Sequence, residues 1–433
     1  MKTRLIVALV LGATCASAQD HWIATWATAE AMARVGAPPA TATTTTRTTA
    51  ATAAATTTAA TTGKQSAAAP RPGSRFNNET VRMIARISTG GRRLRIKLEN
   101  GFGYQPVTIG AVHIALRGKD SAIAPGSDHA ITFNSKPGCT LEPGMVMLSD
   151  PIDFTVAALS DLAVSLYISG ETGAPTNHGT ALHDTYIQTG DATAAASMPD
   201  ARKSQSYYWL AGIDVQAPAS AGAIVTFGDS ITDGARSSNE SNHSWPTLLA
   251  ARLSANKSTA NLGVANMGIG GNRVLRDVSG VSALGRFDRD VLSQSGVKWV
   301  MLLEGINDIG HGVSTPAEAV TASDLIGAYK QMIERAHSQN IQVIGCTLTP
   351  YEGANYYRED FEKVREDVNA WIRTPGNFDA VVDFEAAVRD AADPKKYRAE
   401  FDPGDHLHPN DAGYEAMANA VDLGIFSGKR SKR

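Results

Sequence analysis

From residue 217 onward the chain alternates short apolar runs with amphipathic stretches, and that rhythm leaves few folds open. Runs at 223–227, 262–267, 297–303, 341–347 and 380–383 read as strands, with helical stretches that include 245–253, 323–338 and 361–373 between them. Strands joined through helices pair in parallel, and a parallel sheet has to be covered on both faces. The expectation is an α/β region: a three-layer αβα domain around a parallel five-stranded sheet of flavodoxin-like order.

Residues 76–215 have another rhythm. Short runs at 80–88, 94–99, 107–116, 152–156, 162–168 and 185–188 are broken by Gly90-Gly91, Asn100-Gly101 and Pro143-Gly144. Leu94, Ile96 and Leu98 alternate with polar residues at period two, as in a strand with one buried face. This half is expected to be a β-sandwich or jelly-roll-like domain. Between it and the N-terminus lies a Thr/Ala tract without large apolar residues, which has nothing to bury and reads as disordered linker. The boundaries expected are a leader at 1–18, an N-terminal segment at 19–35, the linker at 36–74, the β-rich domain at 75–216, the α/β domain at 217–427 and a basic tail at 428–433.

The leader has Lys2 and Arg4, an apolar stretch at 5–13, and Ala16-Ser17-Ala18 before Gln19. That order of charge, apolar core and small residues is a secretory signal, too short to stay as a membrane span. Cleavage is expected after Ala18, giving a secreted or periplasmic protein with no stable membrane anchor. A lipid anchor on Cys15 is disfavoured, because Gly12 stands where such signals carry leucine. Losing the leader takes the basic count from 40 to 38 against 43 acids. With that acidic excess and no basic stripe, nucleic acid is not an expected partner. Cys139 and Cys346 fall in different domains, so no disulfide framework follows. The sequence specifies no oligomeric state.

The chemistry-bearing residues follow the strand ends. Gly228-Asp229-Ser230-Ile231-Thr232-Asp233-Gly234 comes directly after the first apolar run, and Asp405-His406-Leu407-His408-Pro409 comes near the C-terminus. A serine, a histidine and an aspartate supply a nucleophile, a base and a group to orient the base. Open parallel sheets place their sites beyond the carboxyl ends of the strands, so residues far apart in sequence can meet there. Thr232 replaces the last glycine of a Gly-x-Ser-x-Gly elbow, and no Gly-x-x-x-x-Gly-Lys loop or His-Glu-x-x-His pattern occurs. No metal or other cofactor is expected.

Two further blocks lie between these ends, Asn266-Met267-Gly268-Ile269-Gly270-Gly271-Asn272 and Glu304-Gly305-Ile306-Asn307-Asp308. With them the chain resembles the SGNH (GDSL-type) hydrolases over about half its length, and its layout is similar to the secreted arylesterase/acylhydrolase branch associated with xylan degradation. The resemblance implies a serine esterase with Ser230, Asp405 and His408 as catalytic residues. It assigns the oxyanion hole to the backbone N–H groups of Ser230 and Gly271 and the side-chain amide of Asn307. Asp229 and Asp308 are expected to support the site by hydrogen bonds, with Asp233 beside them. His406 is read as a bystander or substrate contact, and His243 and His311 as surface polar residues. The expected substrate is a short acyl ester, acetyl first, on a polysaccharide or oligosaccharide. A lipid, lysophospholipid or aryl esterase is the alternative. In another class, a carbohydrate-binding protein with a vestigial hydrolase domain would use Trp22, Trp26, Tyr207, Tyr208 and Trp209 to stack on sugars, although packing at the domain junction explains these aromatics better.

Overall fold

The computed structural model describes residues 20–31 and 75–427. The expected signal peptide, the linker and the basic tail lie outside the described residues.

In the C-terminal half five parallel strands form one sheet, in spatial order Leu262–Gly268, Gly222–Gly228, Val297–Leu303, Gln342–Cys346, Ala380–Val382. Numbered along the chain this is 2-1-3-4-5, the expected flavodoxin-like order, and every neighbouring pair is parallel. All seven residues of Gly222–Gly228 are buried, as befits a central strand covered on both faces. Helices Trp245–Ala255, Ala322–Ser338, Glu359–Arg373 and Asp411–Ala420 pack around the sheet. The helix Ala322–Ser338 is started by a reciprocal capping box between Thr321 and Asp324.

The N-terminal half is rich in antiparallel strands arranged as a sandwich. One sheet runs Trp22–Ala27, Leu210–Gln216, Gly91–Glu99, Val146–Leu148, with Ile152–Val156 also paired to Gly91–Glu99. The other is built on Glu79–Arg86, Asp161–Ile168 and Val107–Leu116. Leu94, Ile96 and Leu98 are fully buried between the sheets, so the period-two reading holds. The intervening Arg95 and Lys97 point the other way and reach Ser295 and Gln294 of the α/β domain.

The sequence of segment 19–35 carries no alternation that specifies an element, yet Trp22–Ala27 is a strand paired with Leu210–Gln216. It lies against the exposed edge of the parallel sheet: a Cβ on Gly263 would come within 2.1 Å of the Ala24 carbonyl oxygen. The Ser88 hydroxyl accepts from the Val264 N–H at 2.8 Å and donates to the Thr25 carbonyl at 2.5 Å. An unpaired edge strand is thus covered by the neighbouring domain.

Candidate active site

Gly228 ends the first parallel strand so close to the third that a Cβ would meet the Leu303 carbonyl oxygen at 2.2 Å. Asp229 then caps a single helical turn, Ser230–Asp233, accepting from the Ile231 N–H at 3.0 Å. Gly234, at φ +104°, ends the turn in a conformation that favours glycine. Ser230 is thereby fixed at the carboxyl edge of the sheet.

The loop after the fifth strand brings its partners. Ser230 Oγ lies 2.8 Å from His408 Nε2, and His408 Nδ1 lies 3.0 Å from Asp405 Oδ2. Asp405 Oδ1 also accepts from the N–H groups of Leu407 and His408, at 3.2 and 3.0 Å. Burial pushes the Asp405 carboxyl up, but the hydrogen bonds from the His408 ring and from these backbone groups outweigh it and hold the group well below the usual carboxylate range. An ionised carboxylate only accepts, so His408 carries its proton on Nδ1 and offers the Nε2 lone pair to the serine hydroxyl. Asn410 caps the helix Asp411–Ala420 just beyond, accepting from the Gly413 N–H, and so anchors the loop.

Gly271 follows the second strand at φ +75°, where a Cβ would also come within 2.9 Å of Ser279 Oγ. Neither its N–H nor that of Ser230 meets a protein acceptor among the described residues. Asn307 follows the third strand on the helix Ile306–Ser314; its amide donates to the Asn272 carbonyl at 2.9 Å and its oxygen accepts from Tyr356 Oη at 3.2 Å. An amide has two N–H donors, so one remains for another acceptor. Asp308 accepts from the N–H groups of Val274 and Leu275 at 2.6 and 3.1 Å, tying the second block to the third.

Below these loops is a buried acidic cluster. Burial pushes Asp229 up to about 7 and Asp308 up to about 6, and burial together with the nearby Asp229 raises Glu304 well above its ordinary value. Arg286, fully buried beneath them, donates to the carbonyls of Gly228 and Met267 at 2.9 and 2.8 Å and to Asn272 Oδ1 at 2.9 Å. It pins the ends of the first two strands in register.

Sequence reasoning missed Arg286, Tyr356 and Arg236, whose Nε donates to Asp405 Oδ2 at 2.8 Å. Each lies outside the four blocks and carries no local signal. His406 bonds to Asp402, and His243 to Asp411 at 2.9 Å on the surface, while His311 is half-buried. Tyr207, Tyr208 and Trp209 are buried in the sandwich core, so they present no sugar-stacking face; Trp22 and Trp26 are half-buried. Among the described residues no group of three or more His, Cys, Asp or Glu side chains is placed to hold a metal ion, and no helix is long and apolar enough to cross a membrane.

A parallel sheet that gathers a serine, a histidine and an aspartate at its carboxyl edge is the frame of a three-layer αβα hydrolase. Residues 226–416 match the GDSL-like Lipase/Acylhydrolase family, so this half of the chain is a GDSL-like domain and the protein is a carboxylic ester hydrolase. Among solved structures it is similar to an acetyl xylan esterase, with 24% identity, 46% of this chain and 96% of the other covered, and a TM-score of 0.36. An acetylxylan esterase from Geobacillus stearothermophilus has 22% identity, 46% and 91% coverage and a TM-score of 0.37. For a GDSL-like lipase from Bacteroides thetaiotaomicron the values are 20% identity, 47% and 87% coverage and a TM-score of 0.34. No curated protein matches the chain.

Proposed function

We propose that this ester hydrolase works through a Ser230–His408–Asp405 triad and an acyl-enzyme, and that its substrates are short acyl esters, acetyl first, carried by a polysaccharide or oligosaccharide outside the cytoplasm. The observation that carries the mechanism is the continuous hydrogen-bonded chain from Ser230 Oγ through the His408 ring to Asp405. Ser230 Oγ attacks the ester carbonyl carbon while its proton passes to His408 Nε2. The carbonyl oxygen becomes an oxyanion, which the N–H groups of Ser230 and Gly271 and the Asn307 amide receive. His408 then gives the proton to the departing alcohol oxygen as the C–O bond breaks, leaving the acyl group on Ser230. In the second half His408 takes a proton from water, the resulting hydroxide oxygen attacks the acyl carbon, and Ser230 recovers its proton as the acid leaves. Asp405 stays ionised throughout and stabilises the imidazolium formed in each half.

The side chains bonded to Asp405 and Asn307 from outside the triad, Arg236 and Tyr356, are polar, which suits an alcohol portion rich in hydroxyls. Export through the N-terminal leader suits an extracellular polymer.

The test compares the mature protein with Ser230→Ala on acetyl and long-chain p-nitrophenyl esters, with acetate release from acetylated xylan followed in parallel. The variant is expected to lose turnover by at least about 10³-fold while keeping its circular dichroism spectrum. Near-wild-type turnover would remove Ser230 as nucleophile, and a preference for long chains would move the substrate to lipid esters.

A further inference from the structure

The glycine-rich loop that follows the second parallel strand is held in part by Asp233, a side chain of its own domain that the β-rich domain contacts in turn. Within it the Gly268 N–H donates to Asn266 Oδ1 at 2.9 Å, the Ile269 N–H to the Gly228 carbonyl at 3.0 Å, and the Gly270 N–H to Asp233 Oδ2 at 3.0 Å. The last contact sits immediately before Gly271. Neither glycine has a side chain to wedge the loop in place, so its conformation depends on such bonds.

Asp233 is in turn gripped by the β-rich domain. Its Oδ1 lies 3.0 Å from Nε2 of His178, a residue of the two-stranded ribbon formed by Asn177–His178 and Tyr207–Tyr208. The other ring nitrogen, Nδ1, lies 2.7 Å from the carbonyl oxygen of Ala29, in the segment that follows the first strand of the sandwich. Both side chains of the pair are only 4% exposed.

Both ring nitrogens face acceptors, and a neutral imidazole has a single N–H. With Asp233 ionised, only the doubly protonated ring satisfies both contacts. Burial works against that charge, but Asp233 beside the ring, with the bonds to Asp233, Ala29 and Thr180, raises His178 above the ordinary histidine value. The other titratable or charged groups around it are Tyr207, whose ring stacks on it at 6.4 Å, and Arg86 and His183, which line the same interdomain cavity of about 80 Å³. His178 lies 52 residues before the serine, outside the 226–416 match.

We propose that His178 is a positioning residue for ester hydrolysis: acting through Asp233, it fixes the Gly270 N–H and with it the neighbouring Gly271 N–H, so that the accessory domain completes the oxyanion-binding loop. This rests on the reading of Gly271 as an oxyanion donor. A donor that is loosened rather than removed costs less than the roughly 10²- to 10³-fold of outright deletion.

The experiment measures kcat and KM on p-nitrophenyl acetate for the full chain, His178→Ala and His178→Gln. Each rate is normalised to active sites titrated to completion with a fluorophosphonate, at a temperature where near-ultraviolet circular dichroism shows the fold intact. His178→Ala is expected to lower kcat per titrated site by about 10- to 100-fold with KM changed less than about threefold. His178→Gln keeps one donor toward Asp233 and should recover part of the loss. The wild-type kcat should decline on the alkaline side as His178 gives up its second proton, and His178→Gln should lack that decline. A kcat per site within twofold of wild type in His178→Ala, or the same alkaline decline in His178→Gln, would overturn the proposal. If His178→Ala does not fold, the glutamine variant and its pH profile decide. Loss of Ser230-dependent turnover in the wild type would instead overturn the serine mechanism; Ser230-dependent turnover that survives the His178 changes would overturn only the positioning role.

Discussion

At the scale of single residues, the site is held by side chains that each serve several partners. Asn307 donates to the Asn272 carbonyl, accepts from Tyr356, and has a second amide N–H, which the proposed mechanism assigns to the oxyanion. Asn307→Ala should therefore lower kcat by about 10²- to 10³-fold with KM changed only a few-fold. Steady-state kinetics on p-nitrophenyl acetate checks this, and an unchanged kcat would take Asn307 out of the hole. The blocks holding Ser230, Gly271, Asn307 and His408 were legible because each is a short string, the first three just after a strand and the last just before the helix Asp411–Ala420. Arg236 and Tyr356 were not, since an ordinary arginine and an ordinary tyrosine become partners of Asp405 and Asn307 only once the loops have converged.

At the scale of elements, the edge strand Leu262–Gly268 has to be completed by another part of the chain. The Ser88 hydroxyl accepts from the Val264 N–H and, with the Trp22–Ala27 strand alongside, closes that edge. Ser88→Ala would leave the buried Val264 N–H without an acceptor, which costs about 1–3 kcal/mol. The calorimetric transition should move down by several degrees, and a midpoint within error of wild type would show that the edge finds another partner. The strand at 22–27 was missed for a related reason. A six-residue apolar stretch next to a linker shows no alternation strong enough to assign, and its place in the sandwich comes from pairing with Leu210–Gln216, almost 190 residues downstream.

At the scale of the whole molecule, stability should depend on pH in a direction set by buried acids. Burial raises Asp229 to about 7 and Asp308 to about 6, whereas in the unfolded chain both titrate near 4. Between about pH 4 and 7 the folded state holds more protons than the unfolded one, so stability falls as pH rises through that window. His178, also raised, acts in the same sense: its contribution is whole below about 6.5 and fades as pH climbs through its folded value. Asp405, and Glu240 held down to about 2, contribute stability above about pH 4 that is lost in stronger acid. The melting temperature should peak near about pH 5 and decline toward pH 8; calorimetry across that range checks this, and a steady rise from 5 to 8 would contradict it. The sequence by itself determined the two architectures and the residues at the strand ends, because hydrophobic period and local motif are properties of short stretches of chain. Only the tertiary structure decided that Ser230 meets His408 across 178 residues, that an acidic cluster is buried beneath them, and that His178 of one domain grips Asp233 of the other. Those are long-range contacts: each residue's neighbours, and so its charge state and its task, exist only after distant parts of the chain have packed together, within the α/β domain for the first two and between the domains for the third.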